Sequence, residues 1–391
     1  MSRILAVAMM TAAMLAPMPA AAEDGRFTGT PRIGASDGWS IKPRGRLQLD
    51  TGHVSGPAES GGIGELRRAQ LGLEGTAPGG FNWLVEAEFA EGIAEITEMT
   101  LTWKASDALS LTIGQHNNFQ SLEELTSDRF SAFMERAAFT DAFNFERRLG
   151  LSAEIRRGAL TAQVGVFGEN LLEIDEADGA YSLDGRLVYA PEIGGTRLHL
   201  AASAHWRDNG DRADNTVASR FRVRPLFHAT ETRFVSSPAL LADSETRFGL
   251  EAAVIRGPFH AVAEAQWLDL DVAAGAADRR YFGGYAEIGW FLTGETRGYR
   301  SARWERTRVR RPVETGGAGA FQMNLRYDRL DLAQDGTQDG LVAALIWIPT
   351  DHARLMVNYA RLWLDDAAIP DAAGRRDYAV DMIGARVQFD F

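Results

Sequence analysis

Apolar and polar residues alternate in short runs along most of this chain, from residue 40 to its end. In the final run, Ile383, Val387 and Phe389 occupy one side of an extended chain, while Arg386 and Gln388 occupy the other. Successive side chains of a strand point to opposite faces, so a period of two predicts β-strands. Long helical periodicity is almost absent. The pattern therefore predicts an all-β protein.

The polar faces of these runs carry many charged side chains, such as Glu86, Glu88, Arg326 and Asp328. An unpaired charge is costly to bury, so we expect these faces to border water. The apolar faces then have to meet lipid, as in a transmembrane β-barrel with a polar lumen. In the alternative, a soluble secreted array of β-sandwiches, they would pack together. Aromatic residues near the strand ends fit the interfacial girdles of a barrel: Trp83, Trp103, Trp206, Trp267, Trp290 and Trp363.

Sixteen segments fit this description, and an even number is expected of a single-chain bacterial barrel. A short further candidate, 220–224, is assigned to a loop because it would make the count odd. The fold predicted is a transmembrane antiparallel β-barrel of sixteen strands. Its candidate strands are 40–50, 65–75, 81–90, 95–103, 109–114, 148–156, 160–167, 180–190, 196–206, 246–254, 259–267, 281–291, 319–328, 341–348, 353–363 and 378–391.

Connection lengths test this count, because outer-membrane barrels have short periplasmic turns and longer external loops. Every second connection is short, such as 157–159 and 255–258, whereas those of opposite parity include 115–147 and 207–245. The arginine-rich stretch 292–318 is an exception, since parity places this long segment at the end with the short turns. Either it folds back into the lumen or the count fails locally, and we favour the first.

The N-terminus has the features of an export signal. Arg3 is followed by an apolar run from Ile4 to Leu15, and small residues at 20–22 match a cleavage site. The run is shorter than the roughly 20 residues that a spanning helix needs. We predict a cleaved signal at residues 1–22, an N-terminal periplasmic segment at 23–39 and the barrel at 40–391, which together indicate the bacterial outer membrane.

Composition excludes several kinds of site. The chain has no cysteine, which excludes disulfides and thiolate metal sites, and its net charge of −12 argues against nucleic acid as a partner. Its seven histidines lack metal-site spacing, and no nucleophile elbow or phosphate-binding loop is present. We therefore expect no cofactor, no metal and no catalytic residues.

Several segments, in order along the chain, resemble the family of phosphate-selective porins O and P. The resemblance implies a sixteen-stranded, anion-preferring homotrimer in which a long inward loop after the fifth strand forms the constriction. One departure stands at His116-Asn117-Asn118-Phe119, where the family shows a Lys and a Pro after Gly-Gln. A constriction lysine is thus missing, which leaves selectivity for phosphate open. The matching segments are 45–50, 66–75, 113–115, 124–127, 135–136, 291–295 and 383–391.

Arginines are the candidate anion-binding residues, because a guanidinium is permanently charged and its planar donors suit phosphate or carboxylate oxygens. Arg67 alternates onto the lipid face unless a bulge or the rim redirects it, so Arg68 is the better candidate. In the alternative, each arginine pairs with a carboxylate and braces an inward loop. The candidates are Arg44, Arg46, Arg68, Arg129, Arg136, Arg220, Arg222 and Arg224.

Two arginine runs suggest electrostatic funnels for anions, with solvated loops or lipid-headgroup contacts as the alternative. In one, Arg220, Arg222 and Arg224 alternate with Phe221 and Val223, so that an extended chain presents them on one side. The other lies within 300–311. The leading hypothesis is an outer-membrane porin for passive diffusion of small anions such as phosphate. A general diffusion porin without that selectivity is the runner-up, and a barrel enzyme is disfavoured.

Overall fold

The computed structural model describes residues 25–90, 92–171, 179–210, 219–226, 228, 230–272 and 277–391. The predicted signal at 1–22 lies outside them. Sixteen long strands form one antiparallel sheet, and each of them overlaps one of the sixteen predicted segments. They are β1 (Ser40–Ser55), β2 (Ser60–Ala77), β3 (Phe81–Glu88), β4 (Glu95–Lys104), β5 (Leu109–Asn117), β6 (Arg147–Arg157), β7 (Leu160–Phe167), β8 (Tyr181–Tyr189), β9 (Thr196–Asp208), β10 (Ala242–Arg256), β11 (Phe259–Val272), β12 (Arg279–Phe291), β13 (Ala320–Asp331), β14 (Thr337–Thr350), β15 (Ala353–Asp365) and β16 (Tyr378–Asp390).

The sheet closes on itself, because β1 pairs with β16 from Arg46↔Asp390 to Ser55↔Asp381. The predicted sixteen-stranded barrel is therefore confirmed. The extra candidate at 220–224 contains only the two-residue strand Arg222–Val223, which pairs with Val235–Ser236 in a small sheet separate from the barrel sheet.

The closing seam ends on the last residue of the chain. The backbone N–H of Phe391 donates to the Gly45 carbonyl at 3.0 Å, and the Gly45 N–H donates back to the Phe391 carbonyl at 3.1 Å. A Cβ on Gly45 would collide with the Phe391 ring. A side chain at this position would therefore require the terminal aromatic ring to shift.

The lipid face of the barrel is apolar, as the alternation predicted. Ile383 and Val387 of β16 are each 53% exposed, whereas Arg386 and Gln388 on the other face are 2% and 1% exposed. Stacked aromatic pairs such as Phe321–Trp347 mark the short-turn end. No helix in the described part of the chain is long and apolar enough to cross a membrane.

The first inward segment, residues 118–146, joins β5 to β6 and contains two short helices, α1 (Leu122–Leu125) and α2 (Ala138–Ala142). Carboxylates of the opposite wall accept hydrogen bonds from the N-termini of both helices. Glu264 of β11 accepts from the Leu122 N–H at 2.9 Å, and Asp328 of β13 accepts from the Ala138 N–H at 3.1 Å. The segment therefore contacts the lumen-facing side chains of strands across the barrel.

The second inward segment, residues 292–319, joins β12 to β13 at the short-turn end. Trp304 is 1% exposed, and its backbone N–H donates to the Thr126 hydroxyl of the first inward segment at 3.2 Å. Tyr299 hydrogen-bonds His199 of β9 at 2.7 Å. This segment lies inside the lumen, so its unusual length at the short-turn end is compatible with sixteen strands.

Part of the lumen holds an apolar core, which the alternation did not predict. Phe133 and Phe139 of the first inward segment pack with inward-facing residues of the extracellular halves of β11 to β16. The expectation that the polar faces border water is therefore wrong for this half of the barrel, where the inward segments cover them. The lumen-facing residues of β4 to β6 remain partly exposed: Glu98, Thr100, Thr102, Thr112 and Glu154.

Candidate functional site

A β-bulge places two consecutive arginines of β2 inside the barrel. The register between β1 and β2 runs Gln48↔Arg68 and then Leu49↔Leu66, so Arg67 is the extra residue. A bulged residue leaves the regular alternation of faces. Strict alternation places Arg67 on the lipid face unless a bulge or the rim redirects it. The bulge is present, so the lipid-facing placement is wrong and Arg67 faces the lumen.

Arg44, Arg46 and Arg68 lie on the lumen wall formed by β1 and β2, as predicted. Arg44 pairs with Glu86 at 3.1 Å and with Glu74 at 3.4 Å. Arg46 is 5% exposed and forms an ion pair with Asp128. Arg68 pairs more loosely, at 3.5 Å from Asp128 and 3.7 Å from Glu88, and its side chain is 29% exposed. Arg68 is therefore the wall arginine with the weakest ion pairs and the greatest exposure.

Arg129 of the first inward segment differs from its neighbours. Its Nε donates to the Ser127 hydroxyl at 3.1 Å, and no carboxylate of the described residues lies within 4.0 Å of its guanidinium. Burial lowers its pKa, and the positive charge of Arg44 lowers it further, against the opposing charge of Asp390. A half-buried guanidinium without an ion pair can accept an anion with no protein carboxylate to displace.

Arg136 lies in the same segment and is held by backbone carbonyls. It donates to the Glu123 carbonyl at 3.2 Å and to the Thr126 carbonyl at 2.7 Å. Its carboxylate partner is Glu124, at 3.4 Å. Burial raises the pKa of Glu124, and the charges of Arg136 and Arg147 oppose this shift. Arg136 thus has a positioning role and an ion pair that depends on the protonation of Glu124.

Glu135 joins the inward segment to the wall. It accepts two hydrogen bonds from Arg67 and one, at 3.0 Å, from Arg386 of β16, which also pairs with Asp50 at 2.7 Å. Burial alone would raise the pKa of Glu135, but Arg67 and Arg386 outweigh it and hold this pKa well below its ordinary value. The carboxylate therefore remains ionised at neutral pH.

Arg220, Arg222 and Arg224 lie away from this wall, in the connection between β9 and β10. The predicted alternation is present, because Phe221 and Val223 are buried while Arg220 and Arg222 are exposed. These arginines belong to the extracellular side of the barrel. The structure thus divides the predicted set into five residues on the β1–β2 wall or the first inward segment and three in the connection between β9 and β10.

Lumen arginines other than the candidates are also present, among them Arg354 and Arg147. Arg354 of β15 donates to the Arg129 carbonyl at 2.7 Å, and Arg147 begins β6 near Glu124. In the described chain neither forms an ion pair with a carboxylate within 4.0 Å. Arg354 shares the polar face of β15 with Asn358, so strict alternation could have identified it.

The segment where the family shows a lysine is anchored to the barrel. His116 hydrogen-bonds the Ser152 hydroxyl at 2.8 Å, and Asn118 donates to Asp184 at 2.9 Å. No positive charge replaces the lysine at these positions. Among the described residues, no group of three or more His, Asp or Glu side chains could hold a metal ion.

A closed barrel whose lumen contains inward segments and lumen-facing arginines is the architecture of an outer-membrane porin, which points to a channel rather than an enzyme. The profile of the family described as phosphate-selective porin O and P matches residues 41–391, and the chain belongs to this family. Porin O of Pseudomonas aeruginosa is 26% identical over 329 residues, covering 76% of this chain and 74% of that protein. An uncharacterized protein of Caulobacter vibrioides is 42% identical over 403 residues, covering 97% and 80%. The protein is therefore located in the bacterial outer membrane.

Solved structures share the fold at low sequence identity. An anion-selective porin from Comamonas acidovorans has a TM-score of 0.58 and 14% identity, covering 90% of this chain and all of that one (100%). OmpT of Vibrio cholerae, in a trimer form, has a TM-score of 0.57 and 10% identity, covering 91% and 100%.

Proposed function

We propose that this porin passes small anions by passive diffusion, with phosphate and related oxyanions as its preferred solutes. The observation that carries the proposal is Arg129, a guanidinium on the inward segment with no carboxylate partner among the described residues. Arg68 lies 3.5 Å from Asp128 of the same segment, and Arg147 lies near its Glu124. Charged groups at a constriction select ions, and binding must stay weak enough for the ion to leave.

Phosphate as the preferred solute is supported by the chemistry of the guanidinium, whose planar donors match its oxygens. The family name points the same way. The runner-up, a general diffusion porin, is favoured by the uncharged His116–Phe119 segment. A homotrimer is proposed from the family resemblance and from the trimer form of the Vibrio cholerae porin. We also propose that the signal is cleaved after Ala22.

Reversal potentials in planar bilayers under a potassium chloride gradient test the anion preference. We expect an anion-selective potential in the wild type and a severalfold loss of selectivity in Arg129→Gln. Arg222→Gln at the mouth is the matched control and should change little. A cation-selective wild type contradicts the proposal.

Phosphate preference is measured separately, as block of the chloride current by added phosphate. We expect millimolar phosphate to reduce the current in the wild type and to reduce it less in Arg68→Ala and Arg136→Ala. If phosphate and sulfate have the same effect as added chloride, the channel is a general diffusion porin.

A further inference from the structure

Arg129 lies in a short 3-10 turn, Asp128–Phe130, within the first inward segment. We call these three residues the Arg129 turn. At its start, Asp128 forms an ion pair with Arg46 of β1, and the Asp128 carboxylate lies 3.5 Å from the Nε of Arg68 in β2. One end of the turn is therefore held by two strands of the barrel wall.

The backbone carbonyl of Arg129 holds the turn from the other side. It accepts hydrogen bonds from Nη1 of Arg354 in β15 at 2.7 Å and from Nε2 of Gln388 in β16 at 3.1 Å. A carbonyl oxygen has two lone pairs, so both of its acceptor sites are used. Two donors from different strands fix the direction of this carbonyl. They thereby fix the backbone from which the Arg129 side chain departs.

The amide of Gln388 is itself oriented by a neighbour. Gln48 of β1 donates from its Nε2 to the Oε1 of Gln388 at 2.8 Å, and both side chains are fully buried. Because the Gln388 oxygen accepts this bond, the Gln388 amide nitrogen is the atom turned towards Arg129. The opposite orientation would bring two oxygen acceptors together, with no hydrogen between them. Gln48 thus controls a hydrogen bond that it does not itself make.

These wall residues form one row across four neighbouring strands. In the register, Arg354 of β15 is the partner of Gln388 of β16. Gln388 is in turn the partner of Gln48, and Gln48 is the partner of Arg68. The row crosses the closing seam of the barrel, because Gln388 and Gln48 belong to its last and first strands. The Arg129 turn is anchored on both sides of this seam, so its position depends on closure of the barrel.

The guanidinium of Arg129 has few restraints of its own. Its Nε donates to the Ser127 hydroxyl, and its central carbon lies 5.4 Å from the centre of the Phe130 ring. An arginine side chain has many rotamers, and ordering them when a ligand binds weakens the affinity. A fixed backbone limits the positions that the charge can reach. The hydrogen bonds to the Arg129 carbonyl therefore decide where the charge is available to an anion.

We propose that Gln388, Gln48 and Arg354 are positioning residues for anion selection, which hold the Arg129 guanidinium where a permeating anion meets it. This inference rests on the proposed function, in which Arg129 binds the anion. Gln388 and Gln48 carry no charge and act only through Arg129. Their replacement by an apolar residue therefore changes the anion preference while the net charge of the lumen stays the same. A role in barrel stability alone would not have this effect.

Block of the chloride current by added phosphate, recorded in planar bilayers, tests the proposal. Gln388→Met removes the donor to Arg129 at nearly constant side-chain length. We expect Arg129→Gln to weaken the phosphate block about tenfold and Gln388→Met to weaken it severalfold, as the loss of charge-assisted hydrogen bonds predicts. The double variant should match Arg129→Gln alone, because the effects of residues that act through one another are not additive.

Gln338→Met is the matched control. Gln338 of β14 is also fully buried, and its amide has no hydrogen-bond partner among the described residues. The control makes the same chemical change away from the Arg129 turn, so the phosphate block should equal that of the wild type. Gln48→Met is a second variant. It leaves the Gln388 amide free to rotate and should weaken the block in the same direction as Gln388→Met.

Heat-modifiable migration on gels shows which variants are folded, and Gln48→Met replaces Gln388→Met in the double variant if the latter does not fold. A wild-type block in both glutamine variants, with a weakened block in Arg129→Gln, overturns the positioning role and leaves the proposed function intact. Additive effects in the double variant also overturn it, as does an equal effect of the control. An unaltered block in Arg129→Gln contradicts the proposed function and the positioning role together.

Discussion

Arg67 of β2 and Glu135 of the first inward segment form two parallel hydrogen bonds, with an Nε–Oε1 distance of 2.9 Å and an Nη2–Oε2 distance of 3.0 Å. The pair exists because the bulge at Arg67 turns this side chain away from lipid. Together with Arg386, it ties the first inward segment to the wall formed by β16, β1 and β2. The attachment of this segment therefore depends on one irregularity in strand pairing.

Removal of this pair should loosen the first inward segment. In Arg67→Ala, Glu135 keeps Arg386 but loses two charge-assisted hydrogen bonds, and we expect a cost of about 1–3 kcal/mol in the free energy of unfolding. Single-channel recordings should show larger and noisier conductance. The matched control is Arg256→Ala, an exposed arginine at the short-turn end. Unchanged conductance in Arg67→Ala would show that the pair does not position the segment.

Acidification should increase anion selectivity through Glu124. Burial raises the pKa of this carboxyl, so it gains a proton before ordinary carboxylates as pH falls, and Arg136 then loses its charged partner. Glu135 behaves in the opposite way, because its lowered pKa keeps it ionised. The contribution of Glu135 to stability is fully present above the pKa of a glutamate in the unfolded chain, about 4.3. It is lost as pH falls through the lower pKa that Glu135 has in the folded protein.

Reversal potentials between pH 8 and pH 5 measure this effect. The wild type should become more anion-selective toward pH 5, and Glu124→Gln should show the acid-form selectivity throughout this range. A pH dependence that persists in Glu124→Gln would assign the effect to another group.

Loss of Trp304 should open the short-turn end of the lumen. The Trp304 ring packs 4.0 Å from the Arg297 guanidinium and is fully buried, so Trp304→Ala should cost about 3–5 kcal/mol. We expect increased conductance with an intact, heat-modifiable barrel on gels. Trp39→Ala, at a position 54% exposed, is the control. Unaltered conductance in Trp304→Ala would mean that the second inward segment does not restrict flow.

A side chain on Gly45 should impair barrel closure. A Cβ there collides with the Phe391 ring, so Gly45→Ala should destabilise the barrel by about 1–3 kcal/mol and slow its assembly in lipid vesicles. Gly61→Ala is a fair comparison, since a Cβ at Gly61 meets nothing within 4 Å. Equal folding rates of the two variants would show that the seam tolerates the displacement of Phe391.

The barrel could be predicted from the sequence because lipid and turn length impose regular constraints on every strand. The position of the Arg67 side chain could not be predicted, because a single bulge changes the face to which a residue points and leaves no signature in composition. The apolar core in the lumen, by contrast, has a signal in the sequence. Leu362-Trp363-Leu364 and Leu268-Asp269-Leu270 place leucines on the polar faces near the extracellular ends, where a watery lumen would have polar residues.

Long-range contacts determine which of the predicted arginines lie together in the lumen. Arg129 approaches Arg44 only because α1 and α2 are anchored on Glu264 and Asp328, residues far along the chain. No local pattern encodes that approach. Arg222, by contrast, lies on the exposed side that its alternation with Phe221 indicated.

The apolar core within the lumen gives this barrel a calorimetric property of its own. An empty channel of sixteen strands already wets its interior when folded, so its unfolding exposes little new apolar surface from the inside. Here Phe133, Phe139, Leu330 and Leu362 are all kept from water by the fold. Apolar surface that becomes hydrated raises the heat capacity. Unfolding from detergent should therefore show a larger heat-capacity increment than an unfilled barrel of the same strand number.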